Sequence, residues 1–105
     1  MDIEDFRKLC QDETIAITSH AKRRFYERNI TLDDIEKAIS SGMIIKEYPY
    51  DKPFPSCLIL GYAESGDPLH IVASTDEEYL YIVTAYWPDP SQWMDNFTKR
   101  RETSV

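Results

Sequence analysis

Up to Gly42 the apolar residues of this chain recur at helical spacing, and beyond it they alternate or run together as strands do, a switch that admits few folds. Ile3, Phe6, Leu9 and Cys10 predict a short helix over residues 3–12, with Asp2 as its cap and Gln11-Asp12-Glu13-Thr14 as a frayed end. A second helix starts near Thr18 or Ser19 and stops around Asn29, with Ala21 and Phe25 on its buried face. Thr31 caps a third, Asp34 standing in the capping-box position and Leu32, Ile35, Ala38 and Ile39 forming the apolar stripe.

After Gly42, residues 43–48, 56–63, 69–75 and 79–86 are rich in β-branched and aromatic side chains and predict four strands. Two of the separators, 64–68 and 76–78, are too short for helical crossovers, so the sheet is expected to be an antiparallel meander. Asp89 followed by Pro90 reads as an N-cap and first helical residue, and Trp93 and Phe97 one turn apart extend that reading to a C-terminal helix ending near Arg101. The expected fold class is α+β: N-terminal helices on a four-stranded antiparallel meander, closed by a helix.

A chain of 105 residues, 42% of them hydrophobic, suits one domain over residues 1–105. Its net charge of -7 repels nucleic acid and acidic membranes at long range, which counts against a general nucleic-acid binder. The charge is uneven, however: Lys22, Arg23, Arg24 and Arg28 face Glu27 alone between Thr14 and Ile30. Lys99-Arg100-Arg101 reads as the cationic end of the last helix. Cys10 and Cys57 have neither metal-ligand nor disulfide-scaffold spacing, so reduced thiols, no metal and no cofactor are expected. The acidic amphipathic N-terminus is unlike a signal peptide, and no stretch approaches membrane-spanning length; a cytoplasmic protein without a membrane partner is the expectation.

The chain has only two histidines. His20, Arg24 and Arg28 lie four residues apart on the second helix, so an imidazole and two guanidiniums share a stripe. His70 lies on the third expected strand and shares a face with Val72 and Ser74, a mixed surface that suits a semi-open site. An imidazole beside fixed positive charge suits phosphate chemistry, where a proton moves near neutral pH while charge builds on phosphoryl oxygens.

The ordered words His20-Ala21 with Arg24 and Arg28 before Ile30, then Ile45-Lys46-Glu47-Tyr48-Pro49, Pro68-Leu69-His70-Ile71-Val72, Val83-Thr84-Ala85-Tyr86-Trp87-Pro88 and Pro90-x-x-Trp93 together resemble the Domain-of-Unknown-Function 4258 family over residues 17–101. That resemblance implies a fold similar to RelE-type and barnase-like ribonuclease toxins and, as partner, an antitoxin protein of zinc-finger type. It also implies that the family's polar positions fall on His20, Arg24, Arg28, His70, Thr84 and Tyr86. The acidity departs from the basic character of RelE-like ribonucleases.

The resulting expectation is a toxin-like, metal-independent endoribonuclease in which a ribose 2′-hydroxyl attacks the adjacent phosphate of RNA. His20 and His70 serve as base and acid in unassigned order, with Arg24 and Tyr86 completing the catalytic set. Arg23, Arg28 and Thr84 hold the substrate. Each residue also has a structural reading: His70 as a hydrogen-bonded core group, Arg24 and Arg28 as partners of nearby carboxylates, Tyr86 as core edge, Trp87 and Trp93 as pins for the last helix. The alternative function is a non-catalytic protein-interaction module or inactive toxin homologue, favoured by the acidity and by Tyr48, Tyr50, Tyr62, Tyr79 and Tyr81.

Overall fold

A computed structural model describes residues 1–11 and 13–101 as three helices, a five-stranded mixed sheet and a two-stranded hairpin. The order is α1 (Ile3–Leu9), β1 (Ile15–Ile17), α2 (Ser19–Glu27), α3 (Leu32–Ser41), β2 (Met43–Tyr48), β3 (Ser56–Tyr62), β4 (Pro68–Thr75), β5 (Leu80–Tyr86), β6 (Trp93–Met94) and β7 (Lys99–Arg100). Asp12, expected as the last residue of the first helix, lies outside the described residues.

The three N-terminal helices form where their caps place them. The Asp2 carboxylate accepts from the Glu4 N–H, and Thr18 Oγ1 accepts from Ala21. Thr31 and Asp34 form a reciprocal capping box, each side chain accepting from the other's backbone N–H at 3.0 Å. Asn29 ends α2 in the left-handed region, φ 57°, which its short side chain tolerates.

The four expected strands pair antiparallel in sequence, β2 with β3, β3 with β4 and β4 with β5. The meander is incomplete as a description of the sheet, because β1 adds a fifth strand, parallel to β5, with Ile15 opposite Leu80 and Ile17 opposite Ile82. Three residues, Ile-Ala-Ile, are too few to show a period, and their strand geometry comes from the partner.

The C-terminal helix is also corrected. Asp89 does act as a cap, accepting from Ser91 N, and its carbonyl accepts from Gln92 and Trp93. The chain then turns back through Asp95, Asn96 and Phe97, all at positive φ, and β6 pairs antiparallel with β7. Asp and Asn visit the left-handed region easily and form helices poorly, while Trp93 is buried by folding the segment flat against the sheet.

Phe6, Phe25, Ile35, Ile39, Ile59, Leu69, Ile71, Leu80 and Ile82 are buried between the helices and one sheet face, the strand residues alternating between the two faces of the sheet. The helical layer sits close: a Cβ on Gly61 would lie 1.8 Å from the Ala38 carbonyl oxygen, so only glycine allows α3 to approach β3 there. Burial pushes the Cys57 thiol up to about 12 and that of Cys10 up to about 11, leaving both as packing groups at neutral pH. Among the described residues no helix is long and apolar enough to cross a membrane.

Candidate active site

The second face of the sheet holds His70 and its partners. Leu69, Ile71 and Ala73 of β4 belong to the helix-covered core, so His70, Val72 and Ser74 point the other way. His70 is opposite Leu60 on β3 and Tyr86 on β5. This half of the face is closed rather than semi-open: the β6–β7 hairpin lies over it, and His70 is 0% exposed.

Its imidazole is held from every side. Trp93 meets it edge-on with ring centroids 4.3 Å apart, and Tyr86 meets it at 5.3 Å. His70 Nε2 lies 2.8 Å from the Phe97 carbonyl oxygen, and Nδ1 lies 3.2 Å from the Tyr86 hydroxyl. A carbonyl only accepts, so Nε2 carries the proton; Nδ1 is then the acceptor, and the Tyr86 O–H donates to it. Burial lowers the His70 pKa below its usual 6.5, partly opposed by the Phe97 bond, and burial raises that of Tyr86 above 10. At neutral pH the pair is a neutral imidazole accepting from an intact phenol.

Tyr86 also lines a cleft of about 350 Å³ between β2 and the hairpin. Leu58 and Trp93 line it beside Tyr48, and Lys46, Lys99 and Arg100 bring positive charge to it. The Lys46 ammonium stands 5.4 Å from the Tyr48 ring and the Arg100 guanidinium 5.9 Å from the Trp93 ring, so aromatic faces help to place the cations. Among the described residues the ion pairs are Met1 with Glu47, Arg7 with Glu4 and Arg24 with Glu27, and none neutralises the cleft. Three cations converging without carboxylates, on a chain of net charge -7, make a local anion-attracting site.

The other expected site residues lie elsewhere. His20 is exposed on the first turn of α2, whose Ala21 and Phe25 pack on the helix-covered face; the sheet therefore separates His20 from His70. A mechanism that sets both histidines on one phosphate does not fit this arrangement. Arg23 and Arg24 are exposed, Arg24 lying 3.7 Å from Glu27. Arg28 does meet Thr84, at 3.5 Å, but its stronger bond is to the Ala85 carbonyl at 2.7 Å, and Trp87 Nε1 donates to the Arg28 carbonyl at 2.6 Å. These bonds fasten the end of α2 to β5 past the last β1 pairing, where the strand edge would otherwise be bare.

Reading the sequence missed Lys46, Tyr48, Trp93, Lys99, Arg100 and the Phe97 carbonyl as site components. One signal was present, since Lys46 and Tyr48 alternate on a strand and share a face. The hairpin's contribution was hidden behind the expected helix. Among the described residues no three His, Cys, Asp or Glu side chains converge as a metal site would need.

We found no significant match among curated proteins or among solved structures. The family model described as Domain of unknown function (DUF4258) matches residues 17–87, a span that includes His70 and Tyr86 and stops short of the hairpin over them. The chain therefore belongs to the DUF4258 family.

Proposed function

We propose that this chain is a metal-independent endoribonuclease, the toxin-like member of a toxin–antitoxin pair, with Tyr86 and His70 as its proton-transfer couple. The observation that carries the reading is the Tyr86 hydroxyl: it donates to a buried neutral imidazole while its residue lines a cleft ringed by Lys46, Lys99 and Arg100. A RelE-like ancestry and a zinc-finger antitoxin as protein partner belong to the same proposal and rest on the resemblance.

RNA enters with a phosphate among the three cations, which offset the charge that builds on the non-bridging oxygens. The ribose 2′-oxygen attacks phosphorus and gives its proton to Tyr86 Oη, while Tyr86 passes its own proton to His70 Nδ1. The new imidazolium keeps Nε2–H on the Phe97 carbonyl. The bond from phosphorus to the 5′-oxygen breaks, a 2′,3′-cyclic phosphate remains, and the 5′-oxygen takes a proton from solvent. Tyr48, beside the cleft cations, stacks on a neighbouring base in this scheme. In this scheme His20, Arg23 and Arg24 are outside the chemistry, and Arg28 and Thr84 act by positioning β5.

The test is incubation of the purified chain with single-stranded RNA, with and without a metal chelator. Chelator-insensitive cleavage to a 2′,3′-cyclic phosphate, reduced about a hundredfold by Tyr86→Phe, supports the mechanism. Cleavage indifferent to that substitution, or cleavage of RNA lacking the 2′-hydroxyl, overturns it. A soluble, folded protein that cleaves no RNA transfers the reading to the interaction module, which the exposed aromatic residues Phe54 and Tyr79 favour.

A further inference from the structure

The hairpin covers only the His70 end of the second sheet face; the other end bears a row of aromatic rings. Tyr81, opposite Ser74, is on this face, because its neighbours Leu80 and Ile82 belong to the helix-side core. Phe54, from the β2–β3 loop, stacks on Tyr81 nearly parallel, 5.9 Å between centroids and 11° between planes. Tyr79 continues the row at 6.3 Å. Beside them the bulge residue Val83 is 54% exposed, Tyr79 43% and Phe54 36%.

Hydrogen bonds hold the Tyr81 ring and the backbone that carries Tyr79. The Tyr81 hydroxyl donates to Asp76 Oδ2 at 2.7 Å, while Asp76 Oδ1 accepts from the N–H groups of Glu78 and Tyr79. Thr75 Oγ1 donates to the Tyr79 carbonyl and accepts from Glu77 N. Rings that keep one orientation lose little entropy on contact.

We infer that this aromatic shelf docks an arginine-rich segment of a partner protein. Charge selects the occupant. The two loops that frame the shelf carry Asp51, Asp76, Glu77 and Glu78 against Lys52 alone, and none of the four acids is in an ion pair among the described residues. That fringe repels a phosphate backbone and disfavours nucleic acid here. A guanidinium suits both halves of the surface, its flat face stacking on a ring while its N–H groups reach carboxylates. The cationic cleft at the other end of the face repels the same segment, which fixes where along the sheet it settles.

The probe is a fluorescein-labelled peptide of alternating arginine and glycine, titrated with the full chain and read by fluorescence anisotropy at physiological salt. Tyr79→Ser leaves the net charge unchanged and is expected to weaken binding about fivefold through the lost stacking. Glu77→Gln with Glu78→Gln is expected to weaken it about tenfold. Asp33→Asn with Glu64→Gln changes the net charge equally but away from the shelf, and is expected to cost about twofold or less. Thermal unfolding of each variant confirms an intact fold. Equal weakening by the two charge pairs, no effect of Tyr79→Ser, or no binding by the parent chain overturns the inference. So does a single-stranded RNA whose binding Tyr79→Ser abolishes, because the shelf would then belong to nucleic acid.

Discussion

Two regions of this molecule set a histidine near cationic side chains, and the fold treats them in opposite ways. On α2, His20 and Arg23 stand in solvent and Arg24 leans toward Glu27, an arrangement any solvated helix face can have. Under the hairpin, His70 is enclosed by Trp93, Tyr86 and the Phe97 carbonyl, and the cations beside it have no carboxylate partner among the described residues. Sequence spacing made α2 the more eye-catching motif. Burial and hydrogen bonding make the β4–β5 pair the better ordered one, because an enclosed imidazole with two partners has a fixed orientation.

The sharpest way to break this contrast is to truncate both histidines. His70→Ala is expected to lower the unfolding free energy by about 2–4 kcal/mol, through the emptied space under Trp93 and the orphaned Phe97 carbonyl. His20→Ala is expected to stay within about 0.5 kcal/mol of the parent, as exposed substitutions do. Urea denaturation measures both, and similar losses would remove the distinction. Tyr86→Phe should come next, with about 1 kcal/mol lost for one hydrogen bond, far less than its expected effect on cleavage. A variant that unfolds instead would make Tyr86 a core residue.

The pH dependence of stability should report the enclosure of His70 more finely. His70 has its folded pKa below 6.5, so in the window from that lowered value up to 6.5 the unfolded chain binds a proton that the native chain refuses. Stability is then full above 6.5 and falls with falling pH through the window, by at most about 1.4 kcal/mol per unit, before this contribution levels off. His70→Asn should erase that slope; a slope that persists without His70 would assign it to other groups. The smallest expected effect concerns salt. Lys46→Ala or Arg100→Ala should each flatten the salt dependence of RNA binding by about one unit of slope, and Arg24→Ala should not. Equal flattening by Arg24→Ala would bring α2 back into the binding surface.

Much of the fold was legible because its signals are local. The capping box of Thr31 and Asp34, the left-handed stop at Asn29 and the period-2 alternation around His70 each need only neighbouring residues to be recognised. The errors fall where a distant partner overrides local preference. Ile15–Ile17 becomes a strand only because Leu80–Ile82 offers it a parallel edge. Trp93 and Phe97, one helical turn apart in sequence, instead occupy a hairpin whose buried indole and turn carbonyl both engage His70.

By itself, then, the sequence determined the three helices and the antiparallel order of β2 to β5, since these depend on spacing, caps and turn lengths. Only the tertiary structure decided which side chains meet. Period-2 alternation makes Leu69 and Ile71 core and sends His70 to the face away from α2, where a segment outside the family match supplies its acceptor and two of its cations. Which chain segment closes over a sheet face depends on buried area and hydrogen-bond partners far apart in sequence, and no local pattern encodes that choice.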